Sequence, residues 1–299
     1  MKTLAILVKR NIKLFFKDKG LFLTSLITPM ILLVLYITFL GSIYEQAFIS
    51  TIPSSIIVDE RIINGIVGGQ LISSILAVSC ITVSFCSNFL MVQDRANGSL
   101  KDFTISPIKP SILSLSYYIS SFISTLIICL TATIICLIYI WIIGWYFTIV
   151  DVLLIFLDVI LLVMFETALS SVVNHFLSSM GQISAVGTIV SSGYGFICGA
   201  YMPISNFSST LQKVIGFLPG TYGTGLIRNH SMISAYNELE KSGVPSDLVN
   251  GLKDALDVNL YFYGNKVELP IMYLILIVST IVLVITYIFI NRFKNRKSS

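Results

Sequence analysis

Asp158 and Glu166 stand eight residues apart inside an otherwise apolar run, close to one face if that run is a helix. Carboxylates at bilayer depth are costly and by default mark an ion pathway or a proton relay. The same two acids also fit a structural reading. Asp158 would then hydrate from the outer end of its helix, and Glu166 would be protonated or bonded to a Ser or Thr of a neighbouring span. Other chemistry is excluded more easily. The chain has no Gly-x-x-x-x-Gly-Lys-Ser/Thr phosphate loop and no His-Glu-x-x-His zinc helix. Its two histidines, His175 and His230, are predicted on opposite sides of a membrane and cannot share a metal. The five cysteines, Cys80, Cys86, Cys129, Cys136 and Cys198, all lie in apolar runs without ligand spacing, where a thiol serves as a small hydrophobe. Ser192-Gly193-Tyr194-Gly195 looks superficially like a potassium filter. It sits within a continuous apolar run, so these small residues read as helix-packing positions.

The elements that must position Asp158 and Glu166 are six apolar runs, near residues 21–40, 67–91, 112–141, 152–173, 183–202 and 271–290. Each approaches or exceeds the ~20 residues a helix needs to cross hydrocarbon. A lone segment in lipid must satisfy its own backbone, so the runs are predicted to be helices. With 55% hydrophobic and 11% charged residues, the chain reads as one all-α membrane bundle of six transmembrane helices spanning residues 1–299, with no room for a second folded domain.

Charge sets the orientation. With a cytoplasmic N-terminus, thirteen of the nineteen Lys and Arg fall inside: six before the first run, then Arg95, Lys101 and Lys109, then Arg292, Lys294, Arg296 and Lys297. Outside lie Arg61, Lys213, Arg228, Lys241, Lys253 and Lys266. This bias predicts a multi-pass plasma-membrane protein, bacterial in character, with both termini cytoplasmic. The first nineteen residues mix Lys and Arg among apolar positions and show no cleavage site, unlike a signal peptide. They form a basic amphipathic stretch, with Leu4, Leu7, Val8, Ile12, Phe15 and Phe16 on one face, suited to lie in the membrane interface.

Between the runs, residues 41–65 read as an outer loop and 93–110 as a short, charged cytoplasmic loop. Leu100, Phe103 and Ile105 are apolar there, which a plain linker does not need. Pro29 should kink the first span. Residues 202–228 are too interrupted for a clean span and too apolar for a free loop, so a re-entrant or interfacial hairpin at the outer leaflet is expected. Residues 229–269 read as a polar outer segment.

This order of elements resembles the permease subunit of the ABC type-two membrane family, of the drug and lipid exporter kind, over almost the whole chain. The best local match is the inner loop, with Asp94-Arg95, Gly98-Ser99-Leu100 and Ser106-Pro107. A second match runs through Gly199, Pro203, residues 211–217, Pro219, Tyr222 and Arg228. The chain departs from the family pattern at Leu218, where an Asn is usual, and at Lys101, where an acid is common. Its segment 229–269 is also longer than the usual link.

The resemblance implies transport without bond chemistry in this chain. Two permeases, identical or paired with a related chain, would face two copies of a separate ABC ATPase that binds ATP and magnesium. Asp94, Arg95, Gly98, Ser99, Leu100, Phe103 and Pro107 would engage that ATPase, beside the helix at 1–19. Gly199, Pro203, Phe217, Pro219 and Tyr222 would form an outer gate, within a hairpin and outer segment over 203–269. No cofactor is expected on this chain and no nucleic acid as partner; membrane lipid surrounds it. The apolar spans favour a drug, a lipid-like toxin or haemolysin, or an amphipathic peptide as cargo. Two other classes stay open: a proton-coupled secondary transporter working through Asp158 and Glu166, and a non-transporting immunity or scaffold protein.

Overall fold

The computed structural model describes residues 2–52, 58–100, 103 and 108–294. Eleven helices and one small hairpin account for most of these residues. The first helix, α1 (Lys2–Lys17), presents Leu7, Asn11 and Phe15 inward, one turn apart on a single stripe, while its lysines face out. Asp18 caps the next helix by accepting from the amide of Leu21 at 3.1 Å. That helix, α2 (Lys19–Leu35), contains Pro29 and runs through a π-helical turn at Tyr36–Leu40 into α3 (Gly41–Thr51). The stretch expected to be an outer loop from residue 41 is therefore helical as far as Thr51.

α4 (Glu60–Ala96) is the axis of the bundle. It begins at the Asp59 cap and, at 37 residues, extends about 55 Å, well beyond the hydrocarbon alone. It starts earlier than hydropathy indicates because Glu60 and Arg61, both exposed, and Asn64 break the apolar pattern around the buried Ile62, Ile63 and Ile66. Gly98, at φ +80°, ends it in a left-handed turn. Around it stand α5 (Pro110–Ile143), α6 (Ile149–His175), α7 (Met180–Ile197) and α9 (Pro219–Lys241). α6 opens with a reciprocal capping box between Thr148 and Asp151. The short α8 (Ser209–Ile215) precedes α9. α10 (Ser246–Ala255) and the hairpin β1 (Tyr261–Phe262) and β2 (Asn265–Lys266) follow it, and α11 (Leu269–Lys294) closes the bundle.

Among the described residues, four helices are long and apolar enough to cross a membrane: Lys19–Gln46, Glu60–Ala96, Pro110–Ile143 and Leu269–Asn291. The remaining two runs predicted as spans form α6, which carries Asp158 and Glu166, and α7. The chain is an all-α membrane protein. Small residues let the helices close on α4: a Cβ on Gly69 would overlap the carbonyl oxygen of Ser231, and one on Gly68 would meet Ile143 at 2.9 Å. Asn88 ties α4 to α5 and α6, accepting from Ser121 Oγ at 2.9 Å and donating to Ser171 Oγ at 3.1 Å.

The segment 229–269 departs most from expectation. Its first third continues α9, which packs along α4, α6 and α11 instead of lying free as a polar outer stretch. Pro219 stands at the first helical position, where its missing N–H costs nothing.

Candidate functional site

Polar side chains gather at two places, one at an end of the bundle and one inside it. The end cluster centres on Asp94, buried in the last turn of α4. Arg10 of α1 grips it with both guanidinium nitrogens, at 2.8 and 3.1 Å, and Tyr117 of α5 donates to it at 2.6 Å. The hydrogen bond to Asp94 raises the pKa of Arg10 above its ordinary value. The same guanidinium lies 5.1 Å from the ring centre of Phe103. Arg95 points the other way and donates to the carbonyls of His175, at 2.7 Å, and Leu177, at the turn between α6 and α7. Leu100 packs against the cluster formed by Met91, Tyr117 and Tyr287. Thus α1, α4, α5, α6 and α11 meet beneath the segment that follows α4.

Most sequence-predicted residues of the inner loop fall in this junction. Gly98 supplies its positive-φ turn, Ser99 is half-buried beside it, and Pro107 lies outside the described residues. Leu100 and Phe103 are each half-buried, so both hold the loop to the bundle as well as facing out.

The internal cluster belongs to α6, α9 and α11. Asp158 is fully buried and not hydrated from the helix end. Its Oδ2 is 2.6 Å from His230 Nδ1 on α9, and its Oδ1 accepts from Tyr273 of α11 at 2.5 Å. Seven residues earlier, Asp151 accepts from Ser234 of α9 at 2.7 Å. Glu166 binds the hydroxyl of Tyr194 in α7, a tyrosine in place of the Ser or Thr expected. Its Oε2 has no partner among the described residues, and the start of α9 at Gly220 lies against both Glu166 and Tyr194. Tyr194 is helical and contacts Glu166, and Gly195 lies against the Tyr201 ring, whereas Ser192 is exposed and a Cβ on Gly193 would meet nothing among the described residues.

The residues expected to form an outer gate lie around the start of α9. Arg228, expected on the outer side of the membrane, is 1% exposed within the protein and pairs with Asp257 at 3.3 Å. It also donates to the carbonyl of Gly199 at 2.6 Å. Burial raises the pKa of Asp257, opposed by Arg228 and by the amides of Ile204 and Ser205 that the carboxylate caps. Gly199 has φ +74°, and a Cβ there would meet Ile204 at 2.9 Å. Pro203 precedes the 3₁₀ turn Ile204–Asn206, and Tyr222 donates to the carbonyl of Gly216 at 2.5 Å. Phe217 is exposed in the turn before Pro219. The sequence pointed to these positions but not to Asp257, Tyr273 or His230 as partners, because nothing local marks a contact between distant helices.

A crevice of about 510 Å³ opens between α2, α4 and α7, lined by Leu21, Ile27, Phe85, Phe89 and Val190, with Asp18 at its edge. The arrangement can couple movements between helices and shelter an apolar molecule. The model of the family described as ABC-2 type transporter matches residues 2–230. No curated protein matches the chain.

Proposed function

The chain belongs to the ABC-2 type transporter family and is thereby a permease component of an ABC transporter; on that premise we propose that it is a six-span exporter subunit driven by a separate ATPase. The junction at Asp94 carries this reading. An ATPase closing on the loop after α4 would pull on Asp94, and through Arg10, Tyr117 and Arg95 the pull would reach α1, α5 and the end of α6 at once. ATP and magnesium would be held by two ATPase copies. A second permease, identical or related, would complete the pore.

Cargo is a hydrophobic or amphipathic molecule, such as a drug, a lipid-like toxin or haemolysin, or a peptide. The crevice beside α2 and α7 supports that class: most of its wall area is apolar, with threonines, Gln93 and Ser184 interspersed among the apolar side chains. Movement at the Asp94 end would reach the far half through α4 and α6, against which α9 is pinned at Asp158 and Asp151. The orientation with both termini in the cytoplasm of a bacterial cell rests on the basic residues that crowd the Asp94 end.

The test uses inside-out membrane vesicles holding the chain together with a candidate ABC ATPase partner. They should accumulate a fluorescent amphipathic dye when ATP and magnesium are added, and none on an imposed pH gradient alone. Accumulation driven by the gradient without ATP would contradict the proposal and favour the proton-coupled class.

A further inference from the structure

The hairpin before α11 holds an aromatic residue where its backbone favours another type. Tyr263 and Gly264 join β1 to β2 with φ of 50° and 83°. Two positive φ values at a two-residue hairpin favour Asn-Gly, and a bulky residue at the first position is uncommon. Burial does not explain the tyrosine, since Tyr263 is 58% exposed. Phe217, in the turn after α8, is 64% exposed and comes up beside it. The ring centres of Phe217 and Phe262 are 5.1 Å apart, and those of Phe262 and Tyr263 4.8 Å. Lys213 Nζ lies 5.4 Å from the centre of the Tyr263 ring. Leu211, Val214 and Tyr261 extend the exposed surface. Its flanking charges include Lys213 and Lys266, together with Glu268 and Asp254, which accepts from the Tyr261 hydroxyl at 3.0 Å.

This surface continues directly into a lipid-facing one. β2 ends at Lys266 and the candidate span begins at Leu269. Leu274, in the second turn of that span, is 61% exposed. Leu260, at the root of the hairpin, and Met272 of α11 both lie against Gly225 of α9, so the root is level with the first turn of the span.

We propose that Phe217, Phe262 and Tyr263, with Lys213, form an interfacial anchor seated in the lipid leaflet that α11 enters at Leu269. The rings would lie among the upper acyl carbons and glycerol groups, where aromatic side chains are enriched. The lysines would extend along the rings to lipid phosphates. The anchor fixes the depth of the α8–α9 turn. It depends on the membrane crossing of α11 and not on the ATPase or the cargo.

The test places one cysteine at Asn265, in a Cys86→Ala background because the other four cysteines are buried. The labelled protein is held in nanodiscs of phosphatidylethanolamine and phosphatidylglycerol. An environment-sensitive dye at that position should lose most of its emission to lipids with a nitroxide near the headgroup, and much less to a nitroxide at the acyl end or to aqueous iodide. Phe217→Asp with Tyr263→Asp should make iodide the stronger quencher at unchanged melting temperature. Quenching by iodide alone in the otherwise unaltered protein would overturn the anchor. So would protection from every quencher together with energy transfer between dyes on two copies, which would assign the surface to a protein interface.

Discussion

His230 Nδ1 lies 2.6 Å from Oδ2 of Asp158, across a separation of 72 positions in the chain. The contact fixes a helix that looks like a loop in the sequence against one that looks like a membrane span. With Tyr273 on the other carboxylate oxygen, Asp158 has a partner for each acceptor and joins α6, α9 and α11. On this account the acid is a pin.

Asp158→Asn keeps shape and one acceptor oxygen, so its cost should be small. Asp158→Ala strands the buried His230 and the half-buried Tyr273 and should cost about 1–3 kcal/mol. Thermal unfolding in detergent checks the order. Transport by Asp158→Asn should still require ATP. Loss of gradient-driven uphill movement in that variant would make the acid a proton carrier instead.

Arg228 and Asp257 form a buried pair whose partners are also bound to backbone. Truncating either to Ala should destabilise by about 3–5 kcal/mol, because the other charge stays buried alone. Arg228→Met with Asp257→Asn, which keeps an acceptor for the amides of Ile204 and Ser205 and tolerates the positive φ of that position, should recover part of that loss. Proteolysis of the segment 242–268 reads both effects, with faster cutting in the single variants.

Gly220→Ala should separate Tyr194 from Glu166, since a Cβ there would overlap the tyrosine hydroxyl. Gly69→Ala should push α9 off α4 at Ser231, at a cost of about 1–3 kcal/mol. Both proteins should insert normally and unfold at lower temperature than the unaltered chain. Unchanged melting of Gly69→Ala would contradict the close approach of the two helices.

Single cysteines at Thr3 and Ser246, in a background with Cys86 replaced, test the orientation. Impermeant reagent should label Ser246→Cys in intact cells and leave Thr3→Cys unlabelled until the cells are opened. Labelling of both in intact cells would contradict the six-span arrangement.

Hydropathy made the long helices legible, because a lipid-exposed span has to be apolar all along its length. Charge made the inner loop legible, and Asp94 proved to be the centre of a junction. α9 escaped notice for a physical reason: it is buried in protein, not lipid. Gly220, Gly223 and Gly225 serve close packing, and Arg228 and His230 serve buried contacts, so its composition imitates a loop. Pro219 was the available sign of a helix start. The early beginning of α4 was hidden because Glu60, Arg61 and Asn64 break the apolar pattern and Gly65, which lies against Gly144 and Tyr146, lowers hydropathy where chains touch.

Arg10 and Asp94 link the amphipathic helix to the loop, and a double-mutant cycle on Arg10→Met and Asp94→Asn should give a coupling of about 1 kcal/mol, limited by the partial exposure of Arg10. ATP hydrolysis in the complex should fall in either single variant. A cycle showing no coupling would remove Asp94 from the path between loop and bundle.

The most direct measurement is made on the chain purified, without detergent, in discs of its own membrane. The account predicts an ATPase subunit bearing a phosphate loop in equal amount, with dye movement tied to its ATP turnover. Phe103→Asp should keep the melting temperature of the bundle while lowering ATP-dependent dye movement by about ten-fold or more. Recovery of the intact chain without any ATPase, or full ATP-driven movement in Phe103→Asp, would contradict coupling through the loop that follows α4.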